Sequence, residues 1–337
     1  MTETFDPLTK LSRDLKDATR TMTSKEARWL VDLYYTIQDD RKRSSNQINA
    51  VMGAISEDGE AVPEPHEVIH WVFDNMSMLE ANIKRALEAY TDGQLVGRWL
   101  KSIMGIGPVL SAGLLAHTDI EHCPTAGHLW RYAGLDPTVE WLGTERAKAM
   151  VTEVADGHKA LTADDLVEIS RRTNRKLETI VKLAPDKVTG KVTRTSLTAG
   201  LARRPWNARL RVLCWRVGES FVKVSGRDND TYGKVYLSRK AYEVAKNEAL
   251  DYAEQAAAKL ARFNIGKDTE AYKWYSKGKL PPAHIYSRAK RYAVKLFLSH
   301  YQHVLYEDHF GVPPPKPYIL TRPEHTHFLA PPGWPMS

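Results

Sequence analysis

The stretch that most narrows the fold is LKSIMGIGPVLSAGLLA, residues 100–116. Leu100 and Ile103 lead into a Gly105-Ile106-Gly107 turn, and Pro108 opens a second apolar run containing the small residues Ser111 and Ala112. Proline at the first helical position loses no hydrogen bond, and the glycines permit a tight turn with close backbone approach. The pattern predicts a helix ending at Met104 and another starting at Pro108, with Ile106 plugging the space between them. The amides after Ile106 then face outward. The start of the second helix offers free N–H groups and a positive dipole end to a phosphate oxygen. This is the physics of a helix-hairpin-helix, which grips the DNA backbone without reading sequence. The competing reading is a glycine-containing helical hairpin used for packing alone.

The rest of the chain repeats the helical period. Residues 24–53 read as one long helix, with Ser24 as its cap and a stripe of Ala27, Leu30, Leu33, Tyr34 and Ile37. After a Gly/Pro-broken loop at 56–65, residues 66–90 form a second helix. Its stripe is Val68, Ile69, Val72, Phe73, Met76, Leu79, Ile83, Leu87 and Tyr90. Two such helices predict an antiparallel hairpin or a dimerising coiled-coil arm over residues 1–90. The hairpin unit occupies 91–144. An insertion of different texture follows at 145–192. In it, Thr162 and Asp165 form a capping-box pattern for a helix at 163–172. A turn at Thr173-Asn174 leads to a second helix over 175–183, and Leu166, Ile169, Leu177, Ile180 and Val181 make a small core. That pair reads either as a helix-turn-helix with Arg171, Arg172, Arg175 and Lys176 at its turn, or as a plain hairpin.

Residues 193–310 continue as helices: 207–224, with Leu210, Val212, Leu213, Trp215, Val217 and Phe221 buried; 238–262; and 282–307. A Pro-rich tail, 311–337, should lie extended across a surface. The fold class is mainly α.

Charge adds a partner. Residues 187–216 hold eight Lys/Arg, from Lys187 to Arg216, and no acid. Residues 271–306 hold seven and again no acid, although the whole chain carries only +7. Concentrated basic stretches on a mildly acidic remainder predict a polyanion. The expected contacts are Lys101, Gly105, Ile106, Gly107, Pro108 and Val109 from the hairpin, Arg194, Arg203, Arg204, Asn207, Arg209 and Arg211 from the first stretch, and Lys279, Arg288 and Arg291 from the second. Among the aromatics of the second stretch, Trp274 and Tyr275 are the candidates for stacking on unpaired bases and Tyr292 is expected in the core. Two cysteines, Cys123 and Cys214, make neither a disulfide framework nor a zinc site. No apolar run is long enough to cross a membrane and the N-terminus lacks a signal core, so a cytoplasmic location is expected. His300 and His303 with Glu307, the pair His66 and His70, and His325 and His327 are short of the ligands a metal needs, so no metal site is expected.

The block TDIEHCPTAGHLWRYAGLDP, 118–137, extends the hairpin. Together they resemble the C-terminal domain of the DEDD transposases of the insertion-sequence "one-ten" family. Pro124, Ala126, Leu129, Tyr132, Ala133, Gly134, Leu135 and Pro137 fill the places of that family's "YaGLaP"-like segment. Beyond the insertion, Thr195, Ser196, Gly200, Arg203, Arg204, Asn207, Leu210 and Arg211 resemble its basic stretch and asparagine-led helix. Lys279, His284, Arg288, Lys290 and Arg291 resemble its closing basic helix. The resemblance covers about 66–144 and 193–306.

It implies a role in transposition or recombination of a mobile element or phage, DNA as partner, assembly into oligomers, and a serine nucleophile nearest Ser196, with Thr193, Thr195 and Thr198 in competition. Family members begin with a RuvC-like nuclease domain bearing four acidic ligands. Here the first 90 residues read as helices, so that domain is expected to be absent and to come from a separate chain. A serine hydroxyl is a weak nucleophile without a base or metal, so the isolated chain is expected not to cleave DNA, and Mg²⁺ enters only if it does. Three alternatives stay open: a self-sufficient recombinase using Ser196, its acids drawn from Asp119, Glu121 and Asp136; a non-catalytic accessory protein binding DNA or a structured RNA; and a structural or interaction protein that uses the fold without nucleic acid.

Overall fold

The computed structural model describes residues 8–52, 67–155, 160–183, 191–316 and 328–336. All regular elements among them are helices, as the period of the apolar stripes predicts. The loop at 56–65, Lys187, His66, His325 and His327 lie outside the described residues.

A short helix, α1 (Arg13–Ala18), precedes the long α2 (Ser24–Met52) and α3 (Glu67–Asp92). The cap of α2 is Thr23 rather than Ser24: its hydroxyl accepts from the Glu26 amide at 3.3 Å while the Glu26 carboxylate accepts from the Thr23 amide at 2.7 Å. This reciprocal pair satisfies two otherwise orphaned donors. α2 and α3 run antiparallel, since Gln38 and Arg41 both reach Glu80 and Ser44 reaches back to Met76. Ala27, Val31, Ile83, Leu87 and Tyr90 are buried between them and the helices that follow. Ile69, at the start of the predicted α3 stripe, is 47% exposed.

Then come α4 (Leu95–Ser102), α5 (Pro108–His117) and α6 (Ala126–Tyr132). These pack with α2, α3 and the later helices around one large core that includes Trp99, Leu114, Leu129, Phe221, Tyr232, Phe297 and Tyr301. A second core is built by α7 (Gly143–Val154), α8 (Ala163–Thr173), α9 (Leu177–Leu183) and α10 (Arg194–Ala202), around Leu142, Ala147, Val151, Ile169, Ile180, Leu197 and Leu201. The predicted capping box is present, with Thr162 and Asp165 exchanging both bonds. Asn174 ends α8 in the left-handed region, which asparagine tolerates. Leu177 and Val181 are exposed rather than part of this core, because Ile180 alone of the three points inward.

The chain returns to the large core with α11 (Ala208–Val224) and α12 (Tyr232–Glu248), and closes with α13 (Ala253–Arg262), α14 (Glu270–Tyr275) and α15 (Pro282–Phe310). The single helix expected over 238–262 is broken. Leu250 sits at φ 63°, and the buried Asn247 amide is drawn off to the backbone of Leu280, accepting from its N–H at 2.8 Å and donating to its carbonyl at 3.0 Å. The described end of the chain is pinned across α4 and α15. Trp99 donates to the Pro332 carbonyl at 2.8 Å, and Trp334 donates to Glu307 at 2.8 Å.

Candidate nucleic-acid interface

The α4–α5 turn follows from its residues. α4 ends at Ser102, two residues before the predicted Met104, and Ile103 and Ile106 turn into the core. Gly105 adopts φ 94° and its carbonyl accepts from Ser220 on α11 at 2.5 Å. Gly107 caps α5 in an extended conformation, and a Cβ built on it meets nothing within 4 Å. The start of α5 is therefore uncovered at Gly107, and the first helical amides have no partner within the helix.

The predicted contact residues divide into those with free charge and those spent on the fold. Lys101 is bound to Asp92 at 2.6 Å and Glu88 at 3.5 Å. Val109 and Ile106 are buried. Arg194 donates to the Ala155 carbonyl and closes the end of α7. Arg209 pairs with Asp32, and Lys279 with Glu248. Arg288 binds the buried Glu243 at 2.7 Å, a carboxylate also held by Arg239 and by the Tyr252 hydroxyl. Asn207 is the side-chain cap of α11: it accepts from the amides of Arg209 and Leu210 and donates to the Tyr132 hydroxyl at 2.8 Å. It also touches the buried His117, whose pKa burial and the nearby Arg28 push down to about 4. In the insertion, Arg171 and Arg172 are both taken up by Glu168.

Arg203, Arg204, Arg211 and Arg291 remain, exposed and without a carboxylate partner among the described residues. Arg291 lies where the two basic stretches meet. Crowding by protein atoms, then the positive charges of Arg288 and Arg211, lower its pKa; burial first, and the charge of Arg291 after it, lower those of His284 and Lys295. The fold thus joins residues some eighty positions apart into one cationic face on α11 and α15.

Beside it lies an open cleft of about 430 Å³, lined by Trp141, Arg204, Trp206, Arg211, Val212 and Trp215. The Arg204 guanidinium stands 4.9 Å from the centre of the Trp141 ring and that of Arg211 stands 4.5 Å from Trp206. Val212 and Trp215, predicted as core, are instead 50% and 61% exposed. The buried face of α11 runs through Leu210, Leu213, Val217 and Phe221, so a residue at 212 or 215 falls on its opposite side. The predicted stacking residues Trp274 and Tyr275 are half-buried in α14, and Tyr275 packs against a small third core. Tyr292, predicted as core, is 45% exposed and lies 4.5 Å from Arg239.

Ser196 occupies the third position of α10. Its Oγ accepts from the Thr193 amide at 2.8 Å, and its hydroxyl donates to the Thr193 carbonyl at 3.1 Å, which completes a capping box at the start of α10. Asp119 bonds His122 and the Glu121 amide, Glu121 faces His309, and Asp136 closes a turn onto Thr138. His300 is buried between the Tyr232 hydroxyl and the Leu329 carbonyl, and His303 faces Glu307. Among the described residues no three His, Cys, Asp or Glu side chains gather as a metal site, and no helix is long and apolar enough to cross a membrane.

Residues 97–158, from α4 to just beyond α7, match the family model described as Transposase IS116/IS110/IS902 family. No curated protein matches the chain, and no solved structure does. The match spans the turn, the Tyr132–Pro137 segment under α11 and the start of the second core, so it is over residues 97–158 that the chain is similar to the IS116/IS110/IS902 transposase family.

Proposed function

We propose that the chain binds duplex DNA during transposition or recombination of a mobile element or phage. It does so through the start of α5 and the cationic face of α11 and α15. The observation that carries this reading is the convergence of the two basic stretches at Arg211 and Arg291, neither of which forms an ion pair with a carboxylate among the described residues. A transposase-family domain makes DNA the natural polyanion. The reading assigns strand cleavage to another chain, a RuvC-like nuclease: the Ser196 hydroxyl is engaged by Thr193, and Asp119, Glu121 and Asp136 each have separate local partners. It also assigns self-association to the α2–α3 hairpin.

The test is binding of random duplex DNA across salt concentrations. About five phosphate contacts lower affinity several-hundredfold between roughly 50 and 200 mM salt. Gly107→Glu is sterically free at that position, so its effect reports charge at the α5 terminus. Gly107→Glu and Arg291→Ala should each weaken binding. Arg291→Ala should flatten the salt slope by about one ion. Unchanged affinity in both variants overturns the reading.

A further inference from the structure

The cleft shares Arg204 and Arg211 with the cationic face, but its indoles have no part in gripping a duplex, and they ask for a different ligand. Trp141 and Trp215 expose 42% and 61% of their surface. Exposed indoles grouped around one depression mark a binding surface rather than scattered surface residues. The rings come from three places: the loop before α7, the residue before the cap of α11, and the second turn of α11. Each of the first two is fixed from behind. The indole N–H of Trp141 donates to the Ala202 carbonyl at 2.7 Å. The Trp206 ring rests on the Gly134 backbone so closely that a Cβ there would lie 2.7 Å from it. Arg211 is held over Trp206 by a bond to the Gly134 carbonyl at 3.0 Å. The lining carries two guanidiniums and no carboxylate.

From this juxtaposition of the exposed Trp141 and Trp215 indoles with guanidiniums that have no carboxylate partner, we infer that the cleft binds unpaired bases of single-stranded DNA. This inference rests on the DNA-binding reading and extends it from duplex to single strand. Flat aromatic faces stack on bases whatever their identity, and guanidiniums reach the adjacent phosphates while stacking in their own right. A double helix offers no free base face to these rings. Stacking on the ring faces engages the base and not the sugar, so the lining selects for an unstacked base.

The experiment measures anisotropy of labelled oligodeoxythymidylate about a dozen nucleotides long, an abasic strand of equal charge, oligouridylate, and a duplex of the same length. The full chain is compared with Trp215→Ala. Phe328→Ala serves as control, an aromatic ring 55% exposed near the described end of the chain and outside the cleft. Trp215→Ala should weaken oligodeoxythymidylate binding about five- to a hundredfold, the range for losing one base stack. It should leave duplex affinity within about twofold, and Phe328→Ala should change neither. The abasic strand should bind the wild type about as weakly as oligodeoxythymidylate binds the variant, and oligouridylate should match oligodeoxythymidylate within about threefold. The inference is overturned if Trp215→Ala leaves single-strand binding intact, if it weakens duplex and single strand equally, or if oligouridylate binds more than about tenfold tighter. Duplex binding that survives while the single-strand effect is missing sinks the cleft alone. Trp215-dependent single-strand binding without duplex binding sinks the hairpin reading and leaves the cleft.

Discussion

Replacing Gly134 with alanine tests how the family segment shapes the interface. Gly134 sits at φ 69°, where an L side chain costs about 1–2 kcal/mol. The new methyl would also stand 2.7 Å from Trp206 Cγ and 2.9 Å from two further ring carbons, closer than packed carbon atoms come. Either the indole leaves its seat or the backbone shifts, and overpacking of this kind costs about 1–3 kcal/mol. The two contributions predict a loss of about 2–5 kcal/mol in urea unfolding. A cycle separates them. In a Trp206→Ala background the steric part has no target, so Gly134→Ala should then cost only the conformational share of about 1–2 kcal/mol. Because Arg211 binds the Gly134 carbonyl and stacks on Trp206, single-strand affinity should fall as well in Gly134→Ala. A Gly134→Ala protein within about 0.5 kcal/mol of wild type would refute the argument. So would an equal cost in both backgrounds, which would mean that Trp206 does not press on Gly134.

Two further outcomes follow from buried polar groups. Asn207→Ala removes the side-chain cap of α11 and should destabilise by about 1–2 kcal/mol in urea unfolding; Asn207→Asp keeps the acceptor and should recover the larger share. His117 and His300 are held neutral, their pKa values pushed down to about 4 by burial. In the unfolded chain they titrate near 6.5, so between about pH 6.5 and 4 the unfolded state binds more protons. Stability contributed by the neutral rings is therefore complete above about pH 6.5 and is lost as pH falls toward 4. The ceiling is about 3 kcal/mol for each histidine. Melting followed over that range should show this loss, and His300→Asn should make the profile shallower by about one proton; an unchanged slope would contradict a buried neutral His300.

The helices were legible because their apolar residues keep a period that a short window reveals, and the GIGP turn because proline and glycine act locally. What escaped the sequence depends on distant partners. Nothing local announces the break at Leu250, since the Asn247 amide that helps fix it is held by Leu280, in another segment. Composition counts Arg288, Arg209 and Lys279 as free charge, yet Glu243, Asp32 and Glu248 neutralise them from elsewhere in the chain. Trp215 is the converse. Hydrophobicity alone sends it inward, but the phase set by Leu210, Leu213, Val217 and Phe221 turns it out. A stricter reading of that phase would have found it.

α11 explains why these parts act together. It lies outside the family-matched stretch, yet three glycines of that stretch face it. The Gly105 carbonyl is bonded to Ser220 near its C-terminal end. At its middle, Gly113 on α5 lets the two helices approach so closely that a Cβ would sit 2.8 Å from Leu213. At its start, Gly134 seats Trp206 and Tyr132 anchors the Asn207 cap. The opposite side of α11 carries Arg211 and Trp215. A rotation of α11 large enough to disturb one of these contacts disturbs all of them, because close-packed interiors transmit displacement rather than absorb it. The proposed phosphate-binding hairpin and the proposed base-binding cleft are thereby held in one fixed relation, set by the close approaches that Gly105, Gly113 and Gly134 allow.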